Sequence, residues 1–139
     1  AALAETMRLA TEVNRYLDQT APWATIKQDR QAAARAVYTA LRAIDSLKIL
    51  LSPFLPFTSE KLHGYFGYTT PLFGTQGVET ISDSLGEHQA LRYYDENATG
   101  KWEPSQLEPG RALNRPQPLF KKLDPSIVES ERARLGNPS

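Results

Sequence analysis

An all-α fold is predicted, a helix bundle with a long irregular C-terminal wrap and a final helix. Three observations carry it. Residues 1–63 contain no glycine and only three prolines, Pro22, Pro53 and Pro56, and their apolar residues recur at helical spacing. All eight glycines and seven of the ten prolines fall in residues 64–139, where that period fades. A helix-start signature then returns at Asp124-Pro125. The same boundaries divide the chain into a helical core over 1–66, an irregular wrap over 67–124, and a terminal helix with its tail over 125–139.

The first helix is expected over 2–19. Leu3, Met7, Ala10, Val13 and Leu17 line one face of a 3.6-residue helix. No capping residue precedes Leu3, so the bundle is expected to be incomplete at its N-terminus, with this face partly uncovered and prone to self-association. Pro22 ends the helix, because the residue before a proline is pushed out of helical geometry. The second helix is expected from Asp29 to Leu51. Asp29 can cap the first-turn amides. Ala34, Val37, Tyr38, Leu41, Ile44, Leu47 and Leu51 form an apolar face, and Arg30, Arg35, Arg42 and Lys48 decorate the remainder. Pro53 and Pro56 stop it. A third helix is expected from about Thr58 to Phe66, capped by Thr58 or Ser59 and closed by Gly67.

From 67 to 118 the pattern reads as loop, with Leu91-Arg92-Tyr93-Tyr94 as one short strand. Trp102 and Leu107 are expected to pin the loop to the bundle. Glu108-Pro109-Gly110-Arg111 reads as a turn. The last helix is expected from Pro125 to about Leu135, with Asp124 as its N-cap and Gly136 ending it.

The chain has 139 residues, sixteen basic and sixteen acidic, with no cysteine and two histidines. A disulfide framework, a cysteine nucleophile and a thiolate metal site are therefore excluded. No run is long and apolar enough to span a membrane, no signal peptide opens the chain, and a cytoplasmic location is the expectation. Zero net charge lacks the signature of a protein that grips a duplex by charge, although residues 1–70 carry +2 and residues 71–139 carry −2. No catalytic or metal-binding constellation emerges. Asp83, Glu87 and His88 read as a solvated loop, and His63 as a cation suited to a helix end. One local feature stands out, Asn14-Arg15-Tyr16 followed by Ala21-Pro22-Trp23. A tryptophan on a connector beside a basic helix is either a platform for an unstacked base or a core anchor closing the corner.

Asn14-Arg15-Tyr16, Ala21-Pro22-Trp23 and Leu51-Ser52-Pro53-Phe54-Leu55-Pro56-Phe57 resemble the anticodon-binding region of class I aminoacyl-tRNA synthetases. Leu107-Glu108-Pro109-Gly110 and Pro116-Gln117-Pro118-Leu119-Phe120-Lys121-Lys122-Leu123-Asp124 resemble the ending of the methionyl members. The resemblance implies anticodon binding at Trp23 and Pro22, with Trp23 stacking on the first anticodon base of tRNA(Met). Asn14 is read as a cap or turn partner near that corner and Arg15 as a phosphate contact or plain surface charge. Lys27 and Arg30 are weaker candidates for phosphates. Unstacked loop bases are the usual targets of sequence-specific RNA recognition.

The family's catalytic motifs and its other base-reading Asn and Arg have no counterpart here. The resemblance thus implies a non-catalytic fragment of an enzyme that joins methionine to its tRNA with ATP and Mg, with no cofactor in the fragment itself. Its partners would be the tRNA(Met) anticodon loop and the catalytic domain of the same parent chain. Phe120, Leu123, Ile127, Val128 and Leu135 would pack toward that catalytic body, or else onto this bundle. Two other readings stay open: the corresponding domain of an isoleucyl, valyl, leucyl or cysteinyl enzyme, and a helical interaction module with no RNA role, in which Trp23 is core.

Overall fold

Helix α3, Arg30–Leu51, is the spine of the computed structural model, which describes residues 1–136. Helices α1, Ala2–Thr20, α2, Pro22–Thr25, and α4, Pro56–Tyr65, all pack against it. Asp29 caps α3 as expected, its carboxylate accepting from the Ala32 amide at 2.8 Å. Ala33, Ala36, Ala40 and Leu47 supply the buried face. Three alanines there leave room for a neighbouring backbone to approach closely. The core is therefore displaced from the expected face: Ala34 and Val37 are exposed. On α1 the stripe sinks only in part. Leu9, Ala10, Val13 and Leu17 are half-buried, while Leu3 and Met7 stand in solvent.

Helix α4 begins earlier than expected. Pro56 occupies its first turn, where a missing amide costs nothing, and no side chain caps it. Ser59 is buried inside the helix rather than capping it. Gly67 closes the end at φ 76°, and a Cβ there would meet the Ala112 carbonyl oxygen at 2.3 Å. Asn114 completes that end from afar: its amide nitrogen donates to Tyr65 O at 3.0 Å and its side chain to Gly64 O at 2.8 Å.

The largest departure from an all-α fold is an antiparallel hairpin. Strands β1, Thr75–Asp83, and β2, Gly86–Tyr94, pair from Thr75↔Tyr94 to Asp83↔Gly86. Residues 91–94 are thus the end of a nine-residue strand, and β1 has no counterpart in the sequence reading. Its inward positions are Gly77, Glu79 and Ile81 while Val78 points to solvent, so no apolar alternation marks it. Polar cross-strand contacts serve instead: Glu79 accepts from Arg92 at 2.9 Å and from the Tyr94 hydroxyl. Asp83, Glu87 and His88 lie exposed at the hairpin end, with His88 Nδ1 3.9 Å from Asp83.

Beyond the hairpin the wrap returns to the bundle through Ser105 and Leu107, both buried. Leu107 is the anchor expected of it. Trp102 is not, being 79% exposed. The turn at 108–111 forms as expected, with Gly110 at φ 82° and the Arg111 amide donating to Glu108 O at 3.4 Å. The last helix, α5, spans Ile127–Arg134 and starts later than expected, because Asp124 receives the Ser126 amide in a turn ahead of it. Phe120, Leu123, Ile127, Val128 and Leu135 are exposed, so α5 does not pack onto this bundle. The part of the expected tail at 137–139 lies outside the described residues. No helix among the described residues is long and apolar enough to cross a membrane.

Candidate nucleic-acid interface

The corner between α1 and α3 is built around Ala21. It adopts the left-handed conformation, φ 38° and ψ 59°, while its amide caps α1 by donating to Leu17 O at 2.8 Å. A Cβ in that region costs ~1–2 kcal/mol, a strain the surrounding bonds must hold. Pro22 follows at the first position of α2, buried, with its φ already suited to a helix. The next residue is Trp23, lifted to 61% exposure on a single helical turn. Pro22 thus sets the exit direction together with the strained Ala21.

Trp23 borders an open apolar groove of about 550 Å³ on the outer side of α3. Pro22, Ile26, Ala34, Val37, Tyr38 and Leu41 line it with Trp23, and Arg30 lies at its edge among the lining residues. A flat exposed ring beside an apolar groove suits the face of a planar heterocycle. The Tyr38 hydroxyl is already committed, donating to Leu107 O at 2.8 Å. Arg30 supplies a cation, and with it a cation–π or phosphate partner.

Of the residues singled out in the sequence, Pro22, Trp23 and Arg30 come together in this groove. Lys27 is exposed just past α2 and does not line it. Asn14 and Arg15 are exposed on α1 and also lie outside the groove. Asn14 caps nothing at the corner. The last carbonyls of α1 are met by the Ala21 amide and by the hydroxyls of Thr20 and Thr25. Arg15 forms an ion pair with Glu12 one turn back. Sequence reasoning missed Ile26 as a groove residue and read Val37 and Leu41 as core. An apolar face on α3 wider than its core requires was the available signal.

A second polar cluster lies further along the same face of α3, toward its C-terminal end, where the wrap docks. Lys48 was expected on the surface but is 3% exposed, paired with Asp45 one turn earlier and 4.2 Å from the centroid of the Tyr68 ring. Asp45 also accepts from the Ser105 hydroxyl at 2.6 Å and from the Tyr68 hydroxyl at 3.1 Å. Burial lowers the Lys48 pKa, with Asp45 opposing that shift. Burial, the Asp45 charge and the bond to it push the Tyr68 phenol up to about 12. His63 is no exposed helix-end cation. It is 2% exposed, stacked flat on Tyr68 at 4.4 Å between centroids. Its Nε2 donates to Thr70 O at 3.0 Å, and burial, then the Lys48 charge, hold its pKa below the ordinary histidine value. Apart from His63 Nδ1, which is buried without a hydrogen-bond partner, these groups satisfy one another and stitch the wrap to the bundle. No group of three or more metal-binding side chains occurs among the described residues.

Most of the chain is similar to known proteins. Residues 2–92 match the family described as the anticodon binding domain of methionyl tRNA ligase. The methionine–tRNA ligase of Thermomicrobium roseum is 54% identical over 137 residues, covering 97% of this chain and 23% of that protein. Those of Chloroflexus aggregans and Chloroflexus aurantiacus are each 47% identical over 136 residues, with the same coverage. The chain thus spans about 23% of the length of the curated relatives it matches. No solved structure matches it.

Proposed function

Because the chain belongs to the family of anticodon-binding domains of methionyl-tRNA ligase, we propose that its Trp23 corner receives an unstacked base of the tRNA(Met) anticodon loop. The observation that carries this reading is Trp23 itself, 61% exposed above an apolar groove rather than folded into the core. The base stacks on the indole, and Pro22 fixes the direction from which the indole is presented. Arg30 at the groove and Lys27 beyond it meet the backbone phosphates. Arg15 is held by Glu12 and must leave that pair to join them. Asn14 stands on the preceding helix and contributes a polar contact to the same loop.

In the parent enzyme this chain recognises the tRNA, while a catalytic domain elsewhere in the parent chain activates methionine with ATP and Mg. The family match favours the methionyl member over the related isoleucyl, valyl, leucyl and cysteinyl enzymes. An interaction module without an RNA role requires Trp23 in the core, and its exposure speaks against that.

Trp23→Ala in the full-length parent enzyme tests the reading. Aminoacylation at limiting tRNA should fall at least about fivefold, the lower end of the ~1–3 kcal/mol that a base–aromatic stack contributes. A fall of less than about twofold would sink the stacking role.

A further inference from the structure

We propose that Thr25 is a positioning residue for the Trp23 platform, its hydroxyl tying the single turn that carries the indole to the end of α1. The proposal rests on the reading of Trp23 as a base-stacking platform and extends it to a residue that touches no base.

Helix α2 is four residues long. One turn of helix is not stable by propensity, since nucleation fixes several dihedrals for one hydrogen bond. Trp23 cannot hold the turn in place by packing, because most of its surface is exposed. The turn is held by the packing of the buried Pro22 and its neighbours on α3 and by bonds at its ends. At its start, the Ala24 and Thr25 amides both donate to Ala21 O, at 2.9 and 3.0 Å. At its finish, the Asp29 amide donates to Thr25 O at 2.8 Å, leading into the cap of α3.

These bonds are internal to the connector. They fix the shape of the turn but not its angle to α1. Thr25 adds the one side-chain bond that ties the turn directly to α1. Its Oγ1 donates to Thr20 O at 2.9 Å, spanning the strained Ala21 and the buried Pro22. Thr20 O belongs to the last residue of α1, where carbonyls lack helical partners. Thr20 is tied in turn: its own Oγ1 donates to Tyr16 O at 2.8 Å. The two threonines form a relay from the body of α1 to the base of α2. Trp23 sits midway along the bridged segment. Without the Thr25 hydroxyl, the left-handed Ala21 can relax, and the indole swings relative to the groove wall on α3.

The test compares Thr25→Val, Thr25→Ser and Trp23→Ala in the full-length parent protein. All carry Trp102→Phe and phenylalanine in place of every tryptophan in the rest of the parent chain, which leaves Trp23 as the sole tryptophan read by fluorescence. The probe is an RNA hairpin bearing the anticodon loop of tRNA(Met), with the same hairpin lacking its loop bases as reference. Thr25→Val should weaken binding of the intact loop about fivefold, in keeping with the loss of one side-chain hydrogen bond. It should leave binding of the baseless hairpin unchanged. Thr25→Ser, which keeps the hydroxyl, should restore binding.

Time-resolved anisotropy of Trp23 should report a more mobile indole in the valine variant and a wild-type one in the serine variant. If Trp23→Ala weakens binding while Thr25→Val binds as wild type, the positioning role is wrong and the stacking reading stands. If Trp23→Ala itself changes nothing, both fall. Where the valine variant does not fold, Thr25→Ala takes its place under the same outcomes. Equal loss in the serine and valine variants would also overturn the proposal, since the hydroxyl alone would then not hold the platform.

Discussion

The Tyr38 hydroxyl donates to the main-chain carbonyl of Leu107 at 2.8 Å, across 69 positions of sequence. Tyr38 lines the groove beside Trp23, and Leu107 anchors the wrap, so one bond joins the candidate interface to the segment that docks further along α3. Tyr38→Phe keeps the ring and removes the donor. The fold should lose about 1 kcal/mol, because a part-buried carbonyl is left without its partner. Urea denaturation of the two proteins, compared at equal m-value, measures it.

Asp45 holds three donors: the Lys48 ammonium, the Tyr68 phenol and the Ser105 hydroxyl. Asp45→Ala leaves Lys48 buried without its counter-ion. Removing one partner of a buried pair costs ~3–5 kcal/mol. A large drop in melting temperature is expected, with loosening of the wrap near Ser105 visible by hydrogen exchange. An Asp45→Ala protein that melts within a degree or two of wild type would contradict this account of the cluster.

His63 makes stability depend on pH. Its pKa in the fold lies below the ordinary 6.5, through burial first and the Lys48 charge second. As pH falls through 6.5, the unfolded chain takes up a proton at this ring and the folded one does not. The contribution is therefore complete above 6.5, declines as pH falls toward the depressed folded value, and changes no further below it. His63→Gln should flatten the stability profile in that window relative to wild type. Parallel denaturation curves at neutral and mildly acidic pH provide the comparison.

Charge and stacking should separate by their response to salt. Each phosphate neutralised on a single strand contributes a slope of about −0.7 to the log–log dependence of affinity on salt. Arg30→Gln should shallow the slope by about that amount if Arg30 meets a phosphate, and Lys27→Gln likewise. Trp23→Ala should lower affinity at every salt concentration and leave the slope unchanged. Titrations of the anticodon-loop hairpin at several ionic strengths distinguish the two behaviours.

The parts of this fold that were legible in the sequence are those governed by local rules. Helices α1 and α3 follow from a 3.6-residue apolar period, and the Asp29 cap from a single residue type at a single position. The Pro22-Trp23 corner was legible because a proline and a tryptophan are conspicuous on a connector. Its geometry was not, since one helical turn has no period and the bond from Thr25 to Thr20 leaves no compositional trace.

Non-local relations were the other loss. Lys48 looks like a surface lysine until Ser105 and Tyr68 are brought to its carboxylate partner from 60 and 23 positions away. His63 looks like a helix-end cation until Tyr68 stacks on it. The hairpin stayed hidden because its pairing rests on Glu79, Arg92 and Tyr94 rather than on alternating apolar residues.

That hairpin has a consequence for how sequences of this kind can change. Its strands pair with each other, and their closest polar ties, from Glu79 to Arg92 and Tyr94 and from the Tyr93 hydroxyl to Gly74, stay within the hairpin and its foot. The helical spine gains little from it. Insertions and deletions at the Ser84-Leu85 tip can therefore accumulate over generations without reaching the Trp23 corner, so the tip is free to drift in length while the corner is not.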